Sequence, residues 1–146
     1  MIIYIKLEQA VSIHDKLIEM SGGMSGNNNI GLLDSVLDFI QDDDYYPTFE
    51  EKLTHLIYSV NKNHAFSDGN KRSSIALGAT FLEFNGYDYC VTYFINQMEN
   101  IAVQIASSHI SKELLAKIVK SIIYEPEYPE ELKLEIINAT MTQDYN

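Results

Sequence analysis

The chain has one cysteine, Cys90, among its 146 residues. No internal disulfide is possible, so the fold rests on packing, as in a reducing compartment. No apolar run approaches the roughly 20 residues that a bilayer-spanning helix needs, which excludes a membrane. The opening Met1-Ile2-Ile3-Tyr4-Ile5-Lys6 is too short for a signal-peptide core and lacks both a preceding basic stretch and a small-residue cleavage site. Nothing in it directs export, and the cytoplasm is the expected location. Basic residues are few, 10 against 21 acidic ones, for a formal charge of −11. A surface of that sign repels nucleic-acid backbones and anionic lipid, so no nucleic-acid partner is expected. Repeats, low-complexity tracts and long Pro/Gly/Ser linkers are absent as well. That leaves one domain over residues 1–125 and an acidic extension over 126–146, packed on it or trailing from it.

What is present is ordinary globular material, 46% apolar and 21% charged, enough to bury a core at this length. Leu7, Ala10, Val11, Leu17 and Ile18 recur every three to four residues, which predicts a helix ending near Met20. The Gly/Asn-rich stretch Ser21 to Asn29 then collects residues that accept positive φ, and it reads as a mobile loop or a tight hairpin. Gly31 to Gln41 is helical in period and runs into Asp42-Asp43-Asp44, read as a solvated turn before Pro47. Thr48 with Glu51 is a capping box opening a helix that ends near Asn63. From Asn70 to Asn85 apolar residues point every way round, as in a helix enclosed by others, and Asn85-Gly86 stops it. Tyr87 to Val91 reads as briefly extended. Thr92 and Ser111 each read as the cap of a later helix, and a short acidic helix is expected around Leu132 to Ile137 before a polar tail. Ile2 to Ile5 and pieces of the Gly/Asn loop are the only strand candidates. The fold class is therefore all-α, a bundle around a central buried helix with a small hairpin or flap.

Chemistry is concentrated in His64-Ala65-Phe66-Ser67-Asp68-Gly69-Asn70-Lys71-Arg72, which joins the capped helix to the enclosed one. A helix start has unpaired N–H groups and partial positive charge, so phosphate is favoured there before any side chain contributes. Gly69 removes a Cβ that would block close approach. Asn70 adds an amide donor, Arg72 a planar cationic fork and Lys71 a point charge. His64, with an ordinary pKa of about 6.5, suits proton abstraction from a hydroxyl near neutral pH. Asp68 is a hard oxygen ligand, and magnesium typically takes one or two carboxylates plus phosphate oxygens. Phe66 reads as a structural anchor turned to the core. The reaction implied is attack by a protein hydroxyl on a metal-bound nucleoside triphosphate such as ATP.

These nine residues resemble the signature of the Fic/Doc superfamily, His-x-Phe-x-Asp/Glu-Gly-Asn-x-Arg, with every fixed position filled. His14-Asp15, Gly22-Gly23 and Phe81-Leu82-Glu83-Phe84-Asn85-Gly86-Tyr87 are similar to the death-on-curing branch, and the resemblance runs from the first helix to about Ile123. Lys71 stands where Fic adenylyltransferases have glycine, and Ile75 where they have a second arginine. Both choices resemble Doc, whereas Gly69 stands where Doc often has alanine. The resemblance implies a toxin kinase that phosphorylates a hydroxyl of a translation factor, such as an elongation factor, and is restrained by a separate antitoxin protein. It also implies that Gly22, Gly23, Met24, Ser25 and Gly26 form a flap that pairs with a target segment. The alternative is a Fic-type protein adenylyltransferase or other nucleotidyltransferase. A third reading, from another class, is a nucleotide-dependent binding module without turnover.

Each residue taken singly has a plainer reading. His14, His55 and His109 read as hydrogen-bonded structural histidines, Asp68 or Asn70 as a helix cap, and Arg72 as a surface charge. Only the combination at one helix entrance argues for a site. Ser121-x-x-x-Glu125 fits the first part of the inhibitory helix of some Fic proteins, but Pro126 replaces its final Gly/Asn, so the match is read as accidental.

Overall fold

Helix-period stripes separated by short polar breaks can bury their apolar faces only by packing helix on helix. The structure, a computed structural model, describes residues 1–141. Its α-helices are α1 (Leu7–Ser21), α2 (Ile30–Phe39), α3 (Phe49–Asn63), α4 (Asn70–Phe84), α5 (Val91–Ala106), α6 (Lys112–Tyr124) and α7 (Glu130–Met141). The polar tail expected after the last helix falls largely outside the described residues. α4 packs against α1, α3 and α5, and α3 against α2, α4, α5 and α6. The two share the centre. α3 is enclosed as fully as α4, since Lys52, Thr54, Ser59 and Asn61 are buried along with its apolar stripe. The Asn61 side-chain amide donates to the Ala102 carbonyl at 2.9 Å.

Several local signals operate as read. Thr48 Oγ1 accepts from the Glu51 N–H at 3.3 Å and the Glu51 carboxylate accepts from the Thr48 N–H at 3.4 Å, while Ser111 Oγ accepts from Leu114 N–H at 3.1 Å. Each such cap contributes about 1 kcal/mol. Gly86 takes a φ of 83° just past α4.

Other expectations are corrected. Residues Asp88–Cys90 form a 3-10 turn rather than an extended piece, and α5 begins at Val91, with Thr92 inside it and no side-chain cap. Among the described residues Ile2 to Ile5 form no strand. The side-chain amide of Asn85 accepts from the Ile3 N–H at 2.7 Å and donates to its carbonyl at 2.9 Å, and so satisfies the pair of groups a neighbouring strand would have taken. Asp43 is more than a solvated carboxylate: the wholly buried Lys52 donates to it at 2.7 Å and to the Ile40 carbonyl at 2.7 Å. The last helix is longer than expected and lies on α6, with Leu132 buried and Lys117 paired to Glu135 at 2.9 Å.

His55 is structural, as read, and it makes folding sensitive to acid. Its Nδ1 lies 2.8 Å from Lys112 Nζ and 3.0 Å from Tyr46 Oη. Burial first, and the Lys112 charge second, lower its pKa to about 4. A folded-state pKa below the ordinary value means that the neutral ring is favoured in the fold. That stability is complete above the ordinary pKa of about 6.5 and is lost as pH falls from there through about 4. With solvent screening at this half-buried site, the loss is about 1–2 kcal/mol. Urea midpoints at about pH 7 and about pH 4.5 should therefore differ less in His55→Gln than in the native chain.

Candidate active site

The site begins where α3 stops. His64 adopts the left-handed conformation (φ 52°, ψ 45°), which histidine tolerates better than most residues, and this turns the chain into the loop that starts α4. The loop is braced from within. The Asn70 side-chain oxygen accepts from the Phe66 N–H at 3.2 Å, and its amide donates to the Phe66 carbonyl at 3.0 Å. The Asn70 side chain thus braces the loop with its oxygen and one amide hydrogen, and it can offer an anion its other amide hydrogen and its backbone N–H. The Gly69 φ is +77°. A Cβ there would sit 3.1 Å from Ile18 Cδ1 and 3.5 Å from His14 Nε2, so a side chain is disfavoured by conformation and would have α1 only a few tenths of an ångström too close at the end of Ile18. Beyond it, the first N–H groups of α4, from Asn70 to Arg72, have no intrahelical acceptor.

The Gly/Asn stretch docks on this loop instead of forming a hairpin with itself. Asn27 bridges Phe66. The N–H groups of Asn28 and Asn29 donate to the Ala65 carbonyl at 2.8 and 3.0 Å, and the Ser67 N–H donates to the Gly26 carbonyl at 3.2 Å. The Asn28 amide also donates to the Phe66 carbonyl at 3.2 Å. At its other end the strap meets the charged residues. The Met24 N–H donates to Asp68 Oδ2 at 3.0 Å, and Arg72 Nη1 donates to the Gly22 carbonyl at 2.9 Å and to Ser21 Oγ. A Cβ on Gly23, whose φ is +120°, would lie 2.7 Å from Asp68 Oδ2 and 3.1 Å from Arg72 Nη2. Gly23→Ala should therefore lift the strap from Asp68 and leave the bundle intact, seen as faster hydrogen exchange at the Met24 amide with an unchanged helical circular dichroism signal. Unchanged protection at Met24 would show that the strap accommodates the methyl group.

The electrostatics favour a charged carboxylate. The Met24 and Gly69 N–H groups, followed by the Arg72 and Lys71 charges, hold the Asp68 carboxyl below the usual carboxylate range. Asp68 is thus ionised and accepts one N–H on each oxygen, 3.0 Å from Met24 and 2.8 Å from Gly69, with further lone pairs left on both. Among the described residues no cluster of three His, Cys, Asp or Glu side chains could cage a metal. One carboxylate fits magnesium that is held mostly by phosphate oxygens and water, and does not fit a structural metal. His64 is exposed at the far end of the loop and Lys71 is exposed on the first turn of α4. Phe66 is buried, 1% exposed.

His14 is the hydrogen-bonded structural histidine expected, and it lies directly beneath the loop. It is 1% exposed, stacks on Phe66 with centroids 3.7 Å apart and planes 2° from parallel, and sits 2.7 Å from the Asp68 carbonyl through Nε2. The signal was its place between Ala10 and Ile18, four residues from each on the buried face of α1. Ser21 and Asn28, which hold Arg72 and the loop backbone, carried no such signal. Glu125, the partial match to an inhibitory glutamate, lies with Tyr89, Cys90 and Pro126 around a cavity beyond the opposite end of α4, and the 15 residues of that helix span about 22 Å. The accidental reading stands.

Comparison with known proteins agrees with this geometry. The chain is 30% identical over 99 residues to a protein named Toxin Doc from Mycolicibacterium smegmatis, a match that covers 65% of this chain and 76% of that relative. Residues 4–82 match the Fic/DOC family, a span that runs from the N-terminal arm through the strap and the loop into α4. On the family match and the loop that lies within it, this chain belongs to the Fic/DOC family.

Proposed function

We propose that this protein is a Doc-like toxin that transfers a phosphoryl group from a nucleoside triphosphate to a hydroxyl of a target protein. The observation that carries the reading is the convergence of an ionised carboxylate, an arginine fork and unpaired N–H groups where α4 begins, with a histidine at the other end of the same loop. Phosphates lie against the N–H groups of Asn70 to Arg72, with Arg72 and Lys71 neutralising charge that spreads over equatorial oxygens in the transition state. Asp68 would hold magnesium, which would offset the charge of the phosphate oxygens. His64 takes the proton from the attacking hydroxyl. The strap from Gly22 to Gly26 pairs with the target segment and aligns that hydroxyl for in-line attack. The target is of the translation-factor class, and a separate antitoxin restrains the activity. The name of the M. smegmatis relative supports the branch. So does Ile75, half-buried where a second phosphate-binding arginine would stand.

Adenylyl transfer remains the second reading, supported by Gly69 at the motif position. Triphosphate labelled separately at the α and γ positions, incubated with magnesium and a candidate target, separates the two. Label transferred from γ is expected. Label from α would replace the kinase by a nucleotidyltransferase, and binding without transfer would leave a nucleotide-dependent docking module.

A further inference from the structure

We propose that His14 is a positioning residue that locks the Asp68–Gly69 peptide plane and, through it, the Asp68 carboxylate. The role of that carboxylate rests on the functional reading above; the lock itself rests on geometry. A carbonyl oxygen can only accept, so the 2.7 Å contact between His14 Nε2 and the Asp68 carbonyl requires the hydrogen on Nε2. No peptide bond among the described residues is cis. In a trans peptide the C=O and the next N–H point in opposite directions. With the Asp68 carbonyl drawn toward α1, the Gly69 N–H is turned away from it, and there it meets Asp68 Oδ1 at 2.8 Å.

Such a lock is needed because of the residue that follows. Rotating this peptide unit by half a turn would carry the Gly69 φ from +77° to a negative value that glycine accepts as readily. The flip would point the N–H inward and release Oδ1. Met24 N–H would then be the only backbone donor left on the carboxylate. His14 is suited to prevent this because its ring has little freedom. Phe66 covers one face at 3.7 Å, and the side chain is 1% exposed. A histidine on one helix thus sets the direction of a donor and a carboxylate 54 residues further along the chain.

Two substitutions separate the parts of the claim. His14→Phe keeps a ring against Phe66 and removes the donor. His14→Gln loses the ring, but its amide nitrogen is as many bonds from the backbone as Nε2. Both are followed by the amide resonance of Gly69, the carbonyl resonance of Asp68, thermal unfolding, and the magnesium concentration giving half-maximal transfer. In His14→Phe both resonances are expected to move, and half-saturation by magnesium to rise on the order of tenfold, with a smaller change in the rate at saturating magnesium. His14→Gln is expected to recover most of both. The proposal is overturned if a folded His14→Phe protein keeps native Gly69 and Asp68 resonances, or if His14→Gln is as perturbed as His14→Phe. Should the wild-type chain transfer nothing, the functional reading falls, and the resonances alone still decide the lock.

Discussion

His64→Asn is expected to lower the transfer rate by about 10²–10⁴-fold, the usual contribution of a general base, while leaving the fold unchanged. Asparagine is the right replacement because position 64 sits at φ 52°. It tolerates the left-handed region, whereas alanine would add about 1 kcal/mol of backbone strain and blur the result. The side chain is exposed, and the bond from the Asn28 amide goes to the backbone carbonyl of His64 at 3.4 Å, so nothing in the core depends on the imidazole. Single-turnover transfer of labelled phosphate, read beside the thermal midpoint, gives the answer. Transfer at the native rate with an unchanged midpoint would remove His64 from the mechanism and return the loop to a purely binding role.

Phe94→Ala is expected to cost about 3–5 kcal/mol and to lower the thermal midpoint by about 10 °C or more. Phe94 is wholly buried on α5 and lies over Gly78, in the middle of α4. A glycine there weakens the isolated helix by about 1 kcal/mol. The compensation is close approach: a Cβ on Gly78 would lie 2.7 Å from Phe94 Cζ and 3.2 Å from Ile57 Cγ1. Gly78→Ala should therefore destabilise despite its better helix propensity, because a ring packed on every side cannot move aside. The two changes together should cost less than the sum of the separate costs, since the alanine methyl enters space vacated by the ring. Strict additivity in a denaturant cycle would show that the two residues do not share this contact.

Much of the bundle was legible in the chain, and for one reason. Helix boundaries depend on groups within about four residues of each other, so Thr48 with Glu51, Ser111, and Asn85-Gly86 announce themselves. The loop from His64 to Arg72 was legible too, because a helix start, a glycine and a cationic pair fall within nine consecutive residues. Residue types read one at a time could not show which partner a side chain chooses. Asn70 has an amide that suits phosphate, but Phe66 lies four residues away, and the amide closes on both of its backbone groups. Ile2 to Ile5 have the residue types of a strand, but a single Asn85 amide answers for the missing neighbour.

The sequence by itself determined the helices, the caps at Thr48 and Ser111 and the composition of the phosphate-gripping loop, since each follows from near neighbours along the backbone. Only the tertiary structure decided that the strap between α1 and α2 lies on that loop, that Arg72 closes the end of α1, and that His14 sits beneath Asp68. Those contacts join residues 36 to 54 positions apart. Their geometry is set by how α1 packs on α4 around Gly69, a property of the assembled core that no short stretch of chain contains.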